Sequence, residues 1–171
     1  MLLTKQQKYL LAVLEQLGCA EQRQIAALLQ KTFAFSSRED AVRVTNACTR
    51  QMQMGGLLQI SDNIVSQCEE WAIPQRIEAI DVMLELSAAQ PESFYAVDKH
   101  TLLRFSLGEA SFKQFVIVSG SDPPPEHEIR RDEKIIILLP DSIKPEAFSY
   151  TRSVIFAIRQ ENGIHRFFAR K

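Results

Sequence analysis

Four polar side chains recur at the spacing of one helical face between residues 36 and 56, and all four can form paired hydrogen bonds. They are Arg43, Asn46, Arg50 and Gln53. At about 100° per residue, these positions fall on the same side of a helix. An arginine can donate two hydrogen bonds to a guanine edge, and an asparagine or glutamine can pair bidentately with adenine. The set is therefore typical of a helix that contacts base edges in the major groove.

The residues around this face predict where the helix begins and ends. Ser36 or Ser37 can cap its start, and Gly55-Gly56 can end it without a Cβ penalty. The opposite side carries an apolar stripe of Ala41, Val44, Cys48 and Met52. Arg38 lies near the helix start, where a phosphate contact would position the protein on DNA.

The segments on either side of this helix complete the pattern of a winged helix-turn-helix. Residues 57–60 and 64–67 predict a short hairpin, the wing, which contains no lysine or arginine. Two helices are expected upstream, one from Thr4 to Gly18 and one over residues 21–30. A wing without basic side chains predicts modest affinity for DNA unless a dimer doubles the contacts.

A second unit is expected from Pro74 onward, so we divide the chain into domains 1–70 and 74–171. Pro74 can open a helix to about residue 89, and Trp71 is interpreted as packing the two units together. Asp141 or Ser142 is expected to cap a short helix, and Asn162-Gly163 predicts a hairpin turn. The expected strands cover 101–107, 112–119, 134–139, 153–160 and 164–169. This predicts an α+β fold whose second domain has the αβββαβ order of a degenerate restriction-endonuclease-like core.

No catalytic centre is expected from the residues that could do chemistry. A nuclease of that fold needs two acids and a lysine at a divalent metal, but the strand 112–119 contains no acid. Only 132–134, Asp-Glu-Lys, offers similar side chains, at the entrance of the next strand. His100, His127 and His165 are far apart, without zinc-ligand spacing, and we interpret His165 as a surface residue. We therefore predict no enzymatic activity, no cofactor and no metal.

Composition indicates an ordinary globular protein. Apolar residues make up 46% of the chain and charged residues 24%, and no apolar run is long enough to span a bilayer. Three dispersed cysteines and the absence of a signal-peptide pattern favour a reducing, cytoplasmic location. Of the net charge of −1, residues 1–67 contribute +2 and the remainder −3. This asymmetry is a weak indication that the first segment meets an anion.

The chain resembles small winged-helix proteins of unassigned function from conjugative transposons and related mobile elements of Gram-positive bacteria, distant relatives of the replication-relaxation family. The resemblance involves Gln24 to Leu29, Arg38 to Leu58, Ile77 to Leu86, Phe115 to Val118 and Lys134 to Asp141. It implies DNA binding linked to the transfer, replication or expression of a mobile element. It implies no catalytic residues.

Three functions remain open at this stage. The leading hypothesis is a non-enzymatic protein that binds double-stranded DNA through Arg38, Arg43, Asn46, Arg50 and Gln53, as a transcription regulator or an accessory factor. The alternative is a protein-interaction module that does not bind DNA, with the terminal strand 164–169 pairing with a second copy as a homodimer. An active nuclease ranks third.

Overall fold

The computed structural model describes residues 2–67, 74–108 and 113–170, and within them the fold is α+β, as predicted. Four α-helices accompany a three-stranded and a six-stranded sheet in this described part. The helices lie mainly in the first half of the chain, and the larger sheet forms the second half.

The first half contains three helices and three short strands. Their bounds are α1 Lys5–Leu17, β1 Cys19–Glu21, α2 Gln22–Thr32, α3 Arg38–Met54, β2 Gln59–Ser61 and β3 Ile64–Ser66. Thr4 caps α1, with its side chain accepting a hydrogen bond from the backbone N–H of Gln7. Gly18 ends that helix at φ +75°, a conformation that glycine adopts without strain. The predicted positions of the two upstream helices are confirmed to within two residues.

The small sheet has the order β1-β3-β2, with both pairs antiparallel. Between β2 and β3, Asp62 and Asn63 both have positive φ, the signature of a tight hairpin turn whose twist matches its strands. The hairpin is therefore confirmed. The strand β1 was not predicted, because three residues are too few to show an alternating pattern.

The second half begins with α4 and continues as a sheet in chain order. Its bounds are α4 Pro74–Ser87, β4 Ser93–Ala96, β5 Thr101–Leu107, β6 Lys113–Ser119, β7 Glu133–Leu138, β8 Val154–Arg159 and β9 His165–Arg170. The strands lie in the order β4-β5-β6-β7-β8-β9; β6, β7 and β8 run parallel, and the other neighbours are antiparallel. The β8–β9 hairpin turns at Gly163, as predicted. Strand β4 is an addition to the expected order.

The prediction of a short helix from Asp141 or Ser142 toward Phe148 is wrong. The segment contains only a single 3-10 turn, Pro145–Ala147. Lys144 precedes that proline and is extended, with φ −89° and ψ 148°, because a residue before proline is disfavoured in the helical region. A second 3-10 turn, Glu126–Glu128, lies between β6 and β7. Loops, rather than α-helices, therefore connect the parallel strands.

These loops cover the outer face of the large sheet. Ile129 and Phe148 pack against the side chains of Val116, Ile135 and Phe156 in an apolar cluster. Gly120, at the end of β6, approaches the carbonyl of Leu138 so closely that a Cβ would collide with it. The connections thus supply the second layer of this part of the fold.

The opposite face of the sheet shares one apolar core with the N-terminal helices. Leu14 of α1 and Ile25 of α2 belong to the same buried cluster as Ile80 of α4 and Leu103 of β5. The predicted division between residues 70 and 74, and the contact proposed for Trp71, lie outside the described residues. The two halves are therefore continuous in their packing.

A buried carboxylate joins α2 to α4 within this contact. Asp81 is 5% exposed and accepts two hydrogen bonds from the guanidinium of Arg23, at 2.7 and 2.8 Å. Gln24 donates to the same carboxylate at 2.8 Å and to the carbonyl of Ile77 at 2.8 Å. A bidentate arginine pair is the geometry in which a buried acid is best compensated.

Asp81→Ala should lower the free energy of unfolding by about 2 to 3 kcal/mol, because it removes three charge-assisted hydrogen bonds and leaves Arg23 without its main partner. Urea unfolding followed by circular dichroism measures this loss. Glu15→Ala, on the exposed side of α1, is the matched control and should change stability by no more than about 0.5 kcal/mol. Equal unfolding midpoints for the two variants would contradict the structural role given to Asp81.

Candidate nucleic-acid interface

Helix α3 presents one buried and one exposed face. Ser37 caps it by accepting a hydrogen bond from the backbone N–H of Asp40 at 3.0 Å, and Gly55 follows its last residue. The buried side consists of Ala41, Thr45, Cys48, Thr49 and Met52. The two threonines were not predicted as core residues. They are accommodated because Thr45 donates to the carbonyl of Ala41 and Thr49 accepts from Gln22.

All five residues predicted to contact DNA are exposed. They are Arg38, Arg43, Asn46, Arg50 and Gln53. Arg43 is 79% exposed at its side chain and forms an ion pair with Asp40 at 2.7 Å, one helical turn earlier. The side chains of the other four have no hydrogen-bond or ion-pair partner within the described ranges. Their donors and acceptors therefore face solvent.

Two shallow depressions adjoin α3, and the second of them reaches the β2–β3 hairpin. The first, of about 560 Å³, lies along α3 and is lined by Arg38, Glu39, Arg43 and Asn46. The second, of about 420 Å³, lies between Asn46 and the hairpin turn at Asp62. Because Asn46 borders both, helix and hairpin form one continuous surface. This continuity brings Arg38, Arg43 and Asn46 together with the predicted wing, whereas Arg50 and Gln53 line neither depression.

The charge on this surface is mixed rather than uniformly positive. Glu39, Asp40 and Asp62 lie on or beside it, and the ion pair with Arg43 satisfies only Asp40. Arg38 and Arg50 are not neutralised by a neighbouring carboxylate in the described part of the chain. A surface with scattered acids favours contacts at particular positions over adhesion to any polyanion.

The cluster at residues 132–134 does not form a nuclease-like arrangement. Glu133 is buried and accepts a hydrogen bond from Arg104 at 2.8 Å, whereas Asp132 is exposed. Lys134 extends over the ring of Phe115, 6.0 Å from its centroid. Among the residues with described positions, no group of three or more His, Cys, Asp or Glu side chains could hold a metal ion. The absence of enzymatic activity stays a prediction.

His165 is buried, so its interpretation as a surface residue is wrong. Its ring lies between two glutamates of α4: Nδ1 is 2.9 Å from Glu85 and Nε2 is 3.3 Å from Glu78. Burial alone would lower the pKa of His165, but the hydrogen bonds and charges of Glu78 and Glu85 together raise it above the usual 6.5. The error arose because only the register of β9 against α4 reveals these partners. The i, i+7 spacing of the glutamates is the one signal in the sequence.

Comparisons with models of known protein families, with curated proteins and with solved structures found no match. The resemblance to mobile-element proteins therefore stays a prediction. Within the described residues, no helix combines the length and the apolar character needed to cross a bilayer.

His165 should make stability depend on pH in a defined direction. Since the raised pKa means that folding favours the protonated ring, its contribution is complete below pH 6.5 and is lost as the pH rises through the folded-state pKa. The stability difference between the wild type and His165→Gln should therefore shrink with rising pH. Urea unfolding at several values between about pH 5.5 and 8.5 measures this difference.

His127→Gln is the control, because His127 lies exposed in the loop between β6 and β7. Its stability difference from the wild type should be no more than about 0.5 kcal/mol. A pH-independent difference for His165→Gln would mean that folding does not shift the pKa of the ring, and a difference that grows with rising pH would mean that the ring is held neutral between the two glutamates.

Proposed function

We propose that this protein binds double-stranded DNA without catalysing a reaction, with α3 in the major groove and the β2–β3 hairpin as a wing. A single observation carries the proposal. Helix α3 buries one face in the core and leaves Arg43, Asn46, Arg50 and Gln53 exposed on the other. These are the side-chain types that distinguish base pairs by paired hydrogen bonds.

The order of elements around α3 supports the proposal. Three helices are followed directly by a hairpin, and β1 joins the hairpin to form a three-stranded sheet. Such a small sheet fixes the position of the hairpin beside α3. A helix in the major groove and the wing would therefore contact DNA as one rigid unit. Arg38, at the first turn of α3, suits a phosphate contact that sets the register of the helix.

The charge distribution predicts how such binding would behave. With few unpaired basic residues on the α3 surface, only a few phosphates would be neutralised, and affinity would fall by a shallow slope with increasing salt. Specific base contacts would then supply a large share of the affinity. A regulator or an accessory factor of a mobile element fits this pattern, as the sequence resemblance implies.

Arg43→Ala/Arg50→Ala should lower the affinity for a target duplex by about tenfold or more, because each arginine that pairs with a base contributes about 1 to 3 kcal/mol of discrimination. Fluorescence anisotropy with duplexes from the neighbourhood of the gene, and with shuffled versions of them, measures the loss. The preference for the native duplex should disappear in the double variant.

The matched control is Arg131→Ala/Arg166→Ala, which removes the same charge from exposed positions of the second half. This variant should retain the preference for the native duplex. If the wild type binds neither duplex at low salt, DNA binding is excluded as the function of this chain. If the two double variants lose affinity equally, α3 is not the element that recognises the DNA sequence.

A protein-interaction module is the second candidate, and one feature favours it. Met54, 83% exposed, is the last residue of α3, and Leu57, 39% exposed, precedes the hairpin. Exposed apolar side chains at this junction suit a protein contact better than a DNA contact. Under this candidate, α3 would dock onto another protein. Strand β9, at the edge of the large sheet, could still pair with a second copy.

A further inference from the structure

A cleft of about 640 Å³ lies where α2, α3 and α4 meet the β8–β9 hairpin. Arg38 of α3 lines it from the first half of the chain, and Arg159, at the end of β8, lines it from the second. Both arginines are exposed, and neither side chain has an ion-pair or hydrogen-bond partner within the described residues. Two unneutralised guanidinium groups from different parts of the fold therefore face the same concave surface.

The carboxylates that line the cleft are already engaged. Asp81 is paired with Arg23, and Glu85 accepts a hydrogen bond from His165 at 2.9 Å. Since each acid has a cationic or protonatable partner, their negative charges are locally compensated. Arg38 and Arg159 thus supply the cleft with uncompensated charge of one sign.

Asn162, at the tip of the hairpin, adds neutral hydrogen-bonding capacity to the same wall. Its side-chain oxygen accepts from the backbone N–H of Ile164 at 3.0 Å, which fixes the amide. The adjacent Gly163 has no side chain and leaves that edge open. An open cleft with two arginines and an amide has the donors that a phosphodiester oxygen accepts from.

Arg38 also lines the depression along α3 that contains Arg43 and Asn46. It is therefore the residue at which the α3 surface passes into the cleft. A duplex lying along α3 would bring its backbone to Arg38 first and could continue toward Arg159 without leaving the protein surface.

We infer that the cleft between the two halves binds the phosphate backbone of the same duplex, with Arg38 and Arg159 as its charged contacts. This inference rests on the proposed function and extends it: α3 supplies sequence recognition, and the β8–β9 hairpin adds sequence-independent affinity. The large sheet then takes part in DNA binding rather than serving only as a support.

Arg159→Gln tests the inference. On a duplex of about 25 base pairs, it should weaken binding by about fivefold to tenfold near 0.1 M salt and lower the salt slope by about 0.9, the value for one lost phosphate contact. Native and shuffled sequences should be affected equally. On a duplex of about 10 base pairs, roughly one helical turn centred on the α3 site, the variant and the wild type should bind alike.

Two variants serve as controls. Arg166→Gln removes the same charge from β9, where Arg166 lies opposite Ile158 on the face turned away from α4. It should leave the slope unchanged. Arg159→Lys keeps the charge and should keep most of the slope. Thermal unfolding should be equal for all of these variants, because these exposed side chains have no partner to lose among the residues that the structure describes.

The outcomes separate the inference from the proposed function. If Arg159→Gln and Arg166→Gln have the same slope while Arg43→Ala/Arg50→Ala loses the native preference, the cleft inference is overturned and the α3 site stands. If Arg159→Gln weakens only the native duplex, the residue reads sequence and the backbone role is wrong. If the wild type binds no duplex, both fail.

Discussion

The buried carboxylate of Asp81 is the constraint on which the arrangement of the two halves depends. A carboxylate removed from water is costly unless cationic and neutral donors replace its hydration. Both donors, Arg23 and Gln24, come from α2, so the charge is satisfied in only one orientation of α2 against α4. The apolar core alone could tolerate sliding, because dispersion and burial are not directional. The ion pair removes that freedom and fixes α3, which packs on α2, relative to the large sheet.

The histidine between two glutamates makes a second polar contact with α4. His165 lies on the last strand, and its partners Glu78 and Glu85 are two turns apart on the helix. Together with Asp81, these contacts join α4 to α2 and to β9. Helix α4 is therefore the element through which the small and large sheets are connected.

Local signals in the sequence were sufficient for much of the fold. The serine before α3, the glycines after it and the Asn-Gly pair before β9 each act through backbone conformation within a few residues, and each feature lies where it was predicted. The missing pieces depend on distant partners or on short length. Strands β1 and β4 are too short for periodicity, and the residues between β7 and β8 form a loop because two prolines, Pro140 and Pro145, interrupt any helix.

The candidate interface, like the fold, was predictable from the sequence only where local geometry determines it. Helical spacing was enough to group Arg43, Asn46, Arg50 and Gln53, since a helix places them by local geometry alone. The cleft was not predictable, because Arg159 reaches it only through the register of β8 and β9 and the packing of α4 on α2. The burial of His165 was missed for the same reason. The position of Arg159 and the burial of His165 both depend on long-range strand pairing rather than on residue type.

The ion pair between Arg43 and Asp40 has a consequence for how α3 would select its ligands. Asp40 also accepts hydrogen bonds from Ser36 and Ser37, so its carboxylate is held at the start of the helix and acts as an intramolecular competitor for the guanidinium. An anion that pairs with Arg43 through Nη2 competes with Asp40 for that nitrogen. Such an exposed pair contributes about 0.2 to 1 kcal/mol. A weak and transient contact with Arg43 does not recover this free energy, whereas a well-aligned bidentate partner does. Asp40 therefore selects against anions that bind Arg43 only weakly.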